Sequence, residues 1–251
     1  GYENTKTGMT LGTSYEQYED FYFSPNLSIF FEKLDTFANA SKTLAKQEGN
    51  YFDINLNYGL SLDKRNSGFR PTEGYISRFD QKLPLISKNY SLYNSYEYKT
   101  YKELTERSIG SFGFFLGAIN TIADKDVRVS ERLYLGQNRL KGFENGRVGP
   151  KESGDWVGGN YMSSANFNLT LPKLFEQFQN TDITFFVDVG NVWGVDYSDN
   201  IGDSNEIRSS TGLALDVFTP IGPLNFSFSQ ALTKADTDIT EFFRFNIGTT
   251  F

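Results

Sequence analysis

Residues Asn50–Asp63 read NYFDINLNYGLSLD. Phe52, Ile54, Leu56, Tyr58, Leu60 and Leu62 take alternate positions, and Asp53, Asn55, Asn57, Gly59, Ser61 and Asp63 fill the places between them. Side chains of an extended chain point alternately to opposite faces, so this stretch is a strand with one greasy and one polar face. The polar face is mostly Asn, Ser and Gly rather than Lys and Glu. A water-filled interior opposite a lipid-facing surface explains that choice better than a soluble sheet does.

The same period extends in both directions. Upstream, Met9, Leu11, Thr13 and Tyr15 share a face, as do Leu27, Ile29 and Phe31, although Phe30 breaks the second run. Downstream, Tyr75, Phe79 and Leu83 oppose Arg78, Asp80 and Lys82, and Leu92, Tyr96 and Tyr98 oppose Ser95, Glu97 and Lys99. Ser108–Ala123 is apolar on both faces and leaves its register open. Further on, Tyr161–Leu171, Ile183–Gly190, Thr211–Phe218 and Leu224–Ser229 alternate cleanly. Phe243, Phe245, Ile247, Thr249 and Phe251 close the chain. This makes about eleven strands, most near the ~9–11 residues that a tilted strand needs to cross a bilayer.

The connectors sort by length. Polar loops at Ser41–Gly49, Gly194–Ile207 and Thr233–Thr240 fall on one rim, with tight turns at Thr105–Arg107 and Thr219–Pro223 on the other. Arg65–Gly74 reads as a turn broken by Pro71 and Gly74. Pro172–Asp182 is long for the turn rim, and Ile86–Asn89 is short for the loop rim. The expected fold is all-β: one antiparallel transmembrane β-barrel domain over residues 1–251. A soluble β-sandwich or solenoid also alternates, but a sandwich of this size would bring more Gly/Pro turns at 8–12-residue spacing. Single-chain bacterial barrels have even strand numbers. The odd count therefore points to the C-terminal part of a longer barrel. Gly1–Thr10 is polar and does not read as a signal peptide.

Composition narrows the chemistry. The 251 residues contain no Cys and no His, which removes disulfides, thiolate metal sites and the commonest general base. No metal or other cofactor is expected. The net charge of −7 argues against nucleic acid as a partner. Mean hydropathy is −0.45, yet aromatics reach 16%, the combination of a barrel with ringed rims and a polar interior. No apolar run approaches the ~18 residues of a membrane helix. With no His and no G-x-S-x-G, an enzyme in a barrel has almost no support.

Arg132–Pro150, RLYLGQNRLKGFENGRVGP, lacks either period and reads as a long loop folded back into the lumen. Together with DVGNVWGVDY (Asp188–Tyr197), FTPIGPLNFSFSQAL (Phe218–Leu232) and EFFRFNIGTTF at the end, it resembles the BamA family of outer-membrane protein assembly factors. The resemblance covers essentially the whole chain. It implies strands six to sixteen of a sixteen-stranded barrel, without the periplasmic POTRA domains and first strands. The loops and the RVSERLYLG lead-in are similar to the alphaproteobacterial branch.

The family's loop motif carries Arg before Gly-Phe, whereas this loop has Leu140, Lys141, Gly142 and Phe143. The resemblance implies a latch in which this cation meets the inner wall at positions matching Asp188 and Asn166, only the first of which keeps a carboxylate. Lys is a point charge where Arg can grip two acceptors, so a looser latch anchored on Asp188 is expected. The resemblance also implies a lateral seam at the last strand, carried here by Phe243, Phe245, Gly248 and Phe251. Gly248 either weakens the seam or makes room for the loop. Phe251 would be a rim aromatic.

The function implied is assembly and insertion of outer-membrane β-barrels in the bacterial outer membrane. The partners would be the lipid bilayer, unfolded outer-membrane clients and accessory BAM lipoproteins, the last reached through absent domains. The alternative is a protein-secretion or porin-type transport channel, whose inward loop would typically carry charged clusters.

Overall fold

The computed structural model describes residues 1–123, 125–172, 180–195, 201, 206–220 and 222–248. In chain order the elements are β1 (Tyr2–Gly12), β2 (Tyr15–Tyr18), β3 (Phe21–Thr36), a short helix α1 (Lys42–Ala45), β4 (Gly49–Asp63), β5 (Gly74–Ile86), β6 (Ser91–Thr105) and β7 (Ser108–Thr121). A 3-10 turn (Val129–Glu131) and two-residue strands β8 (Lys151–Glu152) and β9 (Asp155–Trp156) lie in the long central loop. Then come β10 (Tyr161–Pro172), β11 (Thr181–Trp193), β12 (Arg208–Thr219), β13 (Gly222–Thr233) and β14 (Phe243–Ile247).

One antiparallel sheet takes these strands in sequence order from β1 to β14, with β8 and β9 forming a separate ribbon. β2 pairs with the start of β3 and continues the line of β1, so the two make a single stave and the wall has eleven among the described residues. Among the described residues β1 and β14 are the two ends of the sheet. Among the described residues no helix is long and apolar enough to cross a membrane.

The alternation in the sequence becomes the two faces of this wall. On β4 the Asp53 and Asn55 side chains are buried inside, while Phe52 and Leu56 are exposed outside. Outward rings stack across strands: Phe31 on Phe52 at 4.7 Å, Phe112 on Phe167 at 4.9 Å and Phe226 on Phe245 at 4.9 Å. Such pairs each add about 0.5–1.5 kcal/mol beyond the area they cover. The expected run of Met9 to Glu16 is longer, beginning at Tyr2 and breaking at Thr13–Ser14.

Two features depart from the sequence reading, and a third settles what it left open. The Ser41–Gly49 loop contains α1, because the Ser41 hydroxyl accepts from the Leu44 N–H at 3.1 Å and Leu44 is buried beneath the loop. Ser108–Ala123 is apolar on both faces because Phe115 and Ile119 point inward, against the central loop. The interior is therefore only partly wet. Leu133, Leu135, Leu140, Phe143 and Val148 from the loop form a dry cluster with Phe115, Ile119, Met162 and Val192 of the wall. Each side chain so buried stabilises the docked loop by about 1.5–3 kcal/mol.

Candidate functional site in the lumen

β10 and β11 place Asn166 directly opposite Asp188, both facing the lumen. The loop comes down onto this pair. The Asp188 carboxylate is fully buried and accepts from Lys141 Nζ at 3.1 Å and from the Lys141 backbone N–H at 3.0 Å, both on Oδ2. Its other oxygen accepts from Asn166 Nδ2 at 2.8 Å, and the same amide donates to the Arg139 carbonyl at 2.8 Å. Asn166 thus joins wall to loop as a donor, without a carboxylate of its own. Lys141 meets one oxygen, as a point charge does, and the main chain adds a second donor to it. The ammonium also lies 4.4 Å from the Phe186 ring centre.

Gly142 has φ +86, which favours glycine. A Cβ there would sit 3.1 Å from the Ser229 Cβ and 3.2 Å from the Ser210 Cβ. Small wall residues let the loop backbone approach this closely, and Leu140 and Phe143 on either side of Lys141–Gly142 enter the dry cluster. Gly142→Ala in the full-length protein is expected to unseat the loop by about 1–3 kcal/mol, from strained backbone and lost space. The check is limited proteolysis of the folded protein. Unchanged protection of residues 136–150 would refute it.

Several anchors gave no sequence signal beyond an ordinary charged residue. Arg139 lies 3.4 Å from the Phe115 ring centre and 3.3 Å from Glu97. Arg128, at the root of the loop, is fully buried and reaches Asp53 at 2.7 Å, Glu32 at 3.0 Å and Glu131 at 3.7 Å. Burial alone would push the Glu131 carboxyl up. Lys82 and Arg128 beside it, with hydrogen bonds from Lys82 and Ser91, hold it below the usual carboxylate range. Arg208 and Asp238 form a second fully buried pair at 2.8 Å, and Asp238 also accepts from the Gly149 N–H. A lone Arg or Asp in a loop reads as solvated, so only packing shows these contacts.

The opposite mouth is bridged as well. The Arg65–Gly74 connector, read as a simple turn, folds under the lumen from the far side of the sheet. Its Arg70 forms an ion pair with the buried Asp182 at the start of β11 and stacks 4.5 Å from the Phe218 ring centre. Phe69 meets Phe218 edge-on at 5.5 Å. A cavity of about 400 Å³ remains beside the loop, lined by Lys99, Asn166, Asn168, Asp216 and Asn225 among others, and one of about 730 Å³ adjoins the connector at Phe69–Thr72. Arg70→Ala in the full-length protein is expected to raise ion conductance in planar bilayers several-fold. Arg70→Asp combined with Asp182→Arg should lower it again. Equal conductance in wild type and Arg70→Ala would refute a closing role.

At the seam, Phe243 and Phe245 point outward from β14, in line with Phe228 and Phe226 of β13. Gly248 bends the chain after β14 with φ +112, and a Cβ there would meet nothing within 4 Å, so it makes no room for the loop. Phe251 lies outside the described residues, as do most of Pro172–Asp182 and Gly194–Ile207.

The Omp85 superfamily domain model matches residues 1–251. Outer membrane protein assembly factor BamA of Neorickettsia risticii is 26% identical over 100% of this chain and 34% of its own length, and it fits the alphaproteobacterial character of the loops. The human sorting and assembly machinery component 50 homolog is 26% identical over 64% of this chain and 36% of its own. The crystal structure of Haemophilus ducreyi BamA lacking POTRA domains 1–3 superposes with a TM-score of 0.88 at 25% identity, covering 97% of this chain and 54% of that one. The chain thus spans about a third of the length of these curated relatives.

Proposed function

Because the chain belongs to the Omp85 superfamily, we propose that it forms the C-terminal part of the barrel of an assembly factor that inserts β-barrel proteins into the bacterial outer membrane. The observation that carries this reading is the occupied lumen. A loop is pinned there by Lys141 on Asp188 and packed through Leu140 and Phe143. A conducting channel needs the opposite arrangement. The names of two relatives, an outer-membrane assembly factor and a sorting and assembly component, support the same reading.

The mechanism follows from edges. A strand edge offers unpaired N–H and C=O groups to another strand. A client's closing strand would pair at the seam beside β14, while the outward Phe and Leu belt holds the factor in lipid. No covalent bond is broken, so no catalytic residue and no cofactor are needed. Unfolded outer-membrane proteins are the substrates, and accessory lipoproteins of a BAM complex would bind outside these strands.

The test is reconstitution of the full-length protein in lipid vesicles with an urea-unfolded client barrel. Client folding at least tenfold faster than in empty vesicles is the expected result. A stable open conductance with no effect on client folding would instead establish the transport reading.

A further inference from the structure

Among the described residues β14 pairs with β13 from Phe243↔Phe228 to Ile247↔Leu224, with one more main-chain bond at each end (Ser229 N–H to the Phe242 carbonyl, Gly248 N–H to the Pro223 carbonyl), whereas β3 and β4 pair from Phe21↔Leu62 to Leu34↔Gly49. Among the described residues, the loop-side end of β13, Gln230–Thr233, has register partners in β12 and none in β14. The chain just before β14 is engaged elsewhere, by the lumen loop. The Glu241 N–H donates to the Gly142 carbonyl at 3.0 Å, the Glu144 N–H to the Ile239 carbonyl at 2.9 Å, and the Ile239 N–H to the Arg147 carbonyl at 3.1 Å. Phe143 and Thr240 face each other across this short antiparallel bridge.

Side chains reinforce the join. The Glu241 carboxylate accepts from Gln137 Nε2 of the loop and, at 3.2 Å, from Arg244 Nη1 of β14. Gln137 also donates to the Phe143 carbonyl at 3.0 Å. One carboxylate therefore touches both the lumen loop and the last strand. The Glu241 N–H, for its part, meets Gly142 directly beside Lys141.

We propose that the lumen loop holds the last strand through this ladder, with Glu241 as the positioning residue, and that the ladder must part before β14 can be exchanged for an incoming strand. The proposal rests on the assembly reading above. It adds that the latch and the seam are one mechanical unit. Among the described residues the pairing of β14 with β13 is short beside that of β3 with β4. The ladder then supplies the remaining restraint, and the state of the loop sets how readily the seam opens.

Phe143 and Thr240 form a pair flanked by the bonds of residues 142–241 and 144–239, the arrangement in which opposing Cα atoms lie about 4.5 Å apart. That spacing suits a disulfide. In a full-length protein free of other cysteines, Phe143→Cys with Thr240→Cys is oxidised, reconstituted and compared with the same sample after dithiothreitol. Client folding is expected to be at least tenfold slower in the oxidised form and to recover on reduction. Equal rates in the two forms would overturn the proposal, as would failure of the pair to oxidise.

A second variant needs no crosslink. Glu241→Pro removes the N–H that donates to Gly142. It should make openings in planar bilayers several-fold more frequent, and wild-type behaviour would count against the ladder. The assembly reading fails separately. Wild-type protein that does not accelerate client folding sinks it, while a difference in openings between oxidised and reduced protein would still support the ladder.

Discussion

Asp188→Ala in the full-length protein is expected to slow client insertion at least tenfold, and Lys141→Ala by a smaller factor. The asymmetry comes from what each change leaves behind. Removing Asp188 takes the acceptor from the Lys141 ammonium and the Lys141 N–H together, and one of two acceptors from the Asn166 amide. Removing the Lys141 side chain leaves a fully buried carboxylate without its cation but with two N–H donors. Breaking a buried pair costs about 3–5 kcal/mol when a charge is stranded. The remaining donors bring Lys141→Ala to the lower part of that range. The double variant should match Asp188→Ala, with a coupling of about 0.5–3 kcal/mol. Insertion half-times and urea midpoints of the four proteins measure it, and fully additive losses would show that the two residues are not partners. Lys141→Arg tests the point-charge argument. A guanidinium can address both the Asp188 carboxylate and the Asn166 carbonyl oxygen, so the loop should dock at least as firmly.

Arg128→Met should destabilise the barrel by about 3–5 kcal/mol, far more than the ~0–1 kcal/mol of an exposed pair. Its guanidinium is fully buried among Glu32, Asp53 and Glu131 and lies 4.2 Å from the Tyr51 ring centre. Met fills much of the volume but leaves the Glu32 and Asp53 carboxylates facing each other across it. Arg128→Lys should recover only part of the loss, because one ammonium cannot span acceptors on three elements. The denaturant midpoint of the refolded full-length protein checks both, and a shift of Arg128→Met no larger than that of a surface Arg would refute the anchor.

The same cluster sets an acid limit. Glu131 is held below the usual range in the folded state. Its contribution is therefore complete above the unfolded value near ~4.3 and is lost as the pH falls through the lower folded value. Glu131→Gln should accordingly flatten the fall in stability below about pH 4. A wild-type acid profile in that variant would show that other carboxylates carry the transition.

The wall was legible because its signal is local. Strand faces, strand count and the contrast between polar loops and tight turns all follow from side-chain alternation and from Gly and Pro, which act within a few residues. Ser108–Ala123 marks the limit of that signal. A strand with Phe115 and Ile119 turned inward loses its polar face, and no local pattern says what covers them. The latch residues came from a family resemblance in the loop, and period and composition alone would not have singled out Lys141. Asn166, expected only as a lost carboxylate, supplies an amide bridge instead.

Sequence by itself determined an antiparallel wall with a greasy outside, a polar inside and a long irregular segment between its sixth and seventh staves. The family resemblance supplied Asp188 as a contact of that segment; tertiary structure alone decided the others, the Arg128 cluster and the lead-in to β14 through Glu241. Arg70 beneath the lumen belongs with these. The reason is distance along the chain. Alternation is dictated by neighbours one and two residues away, whereas Arg128 and Asp53 are 75 residues apart and Arg70 and Asp182 are 112 apart. Such contacts exist only once the sheet has curved and brought its opposite staves face to face.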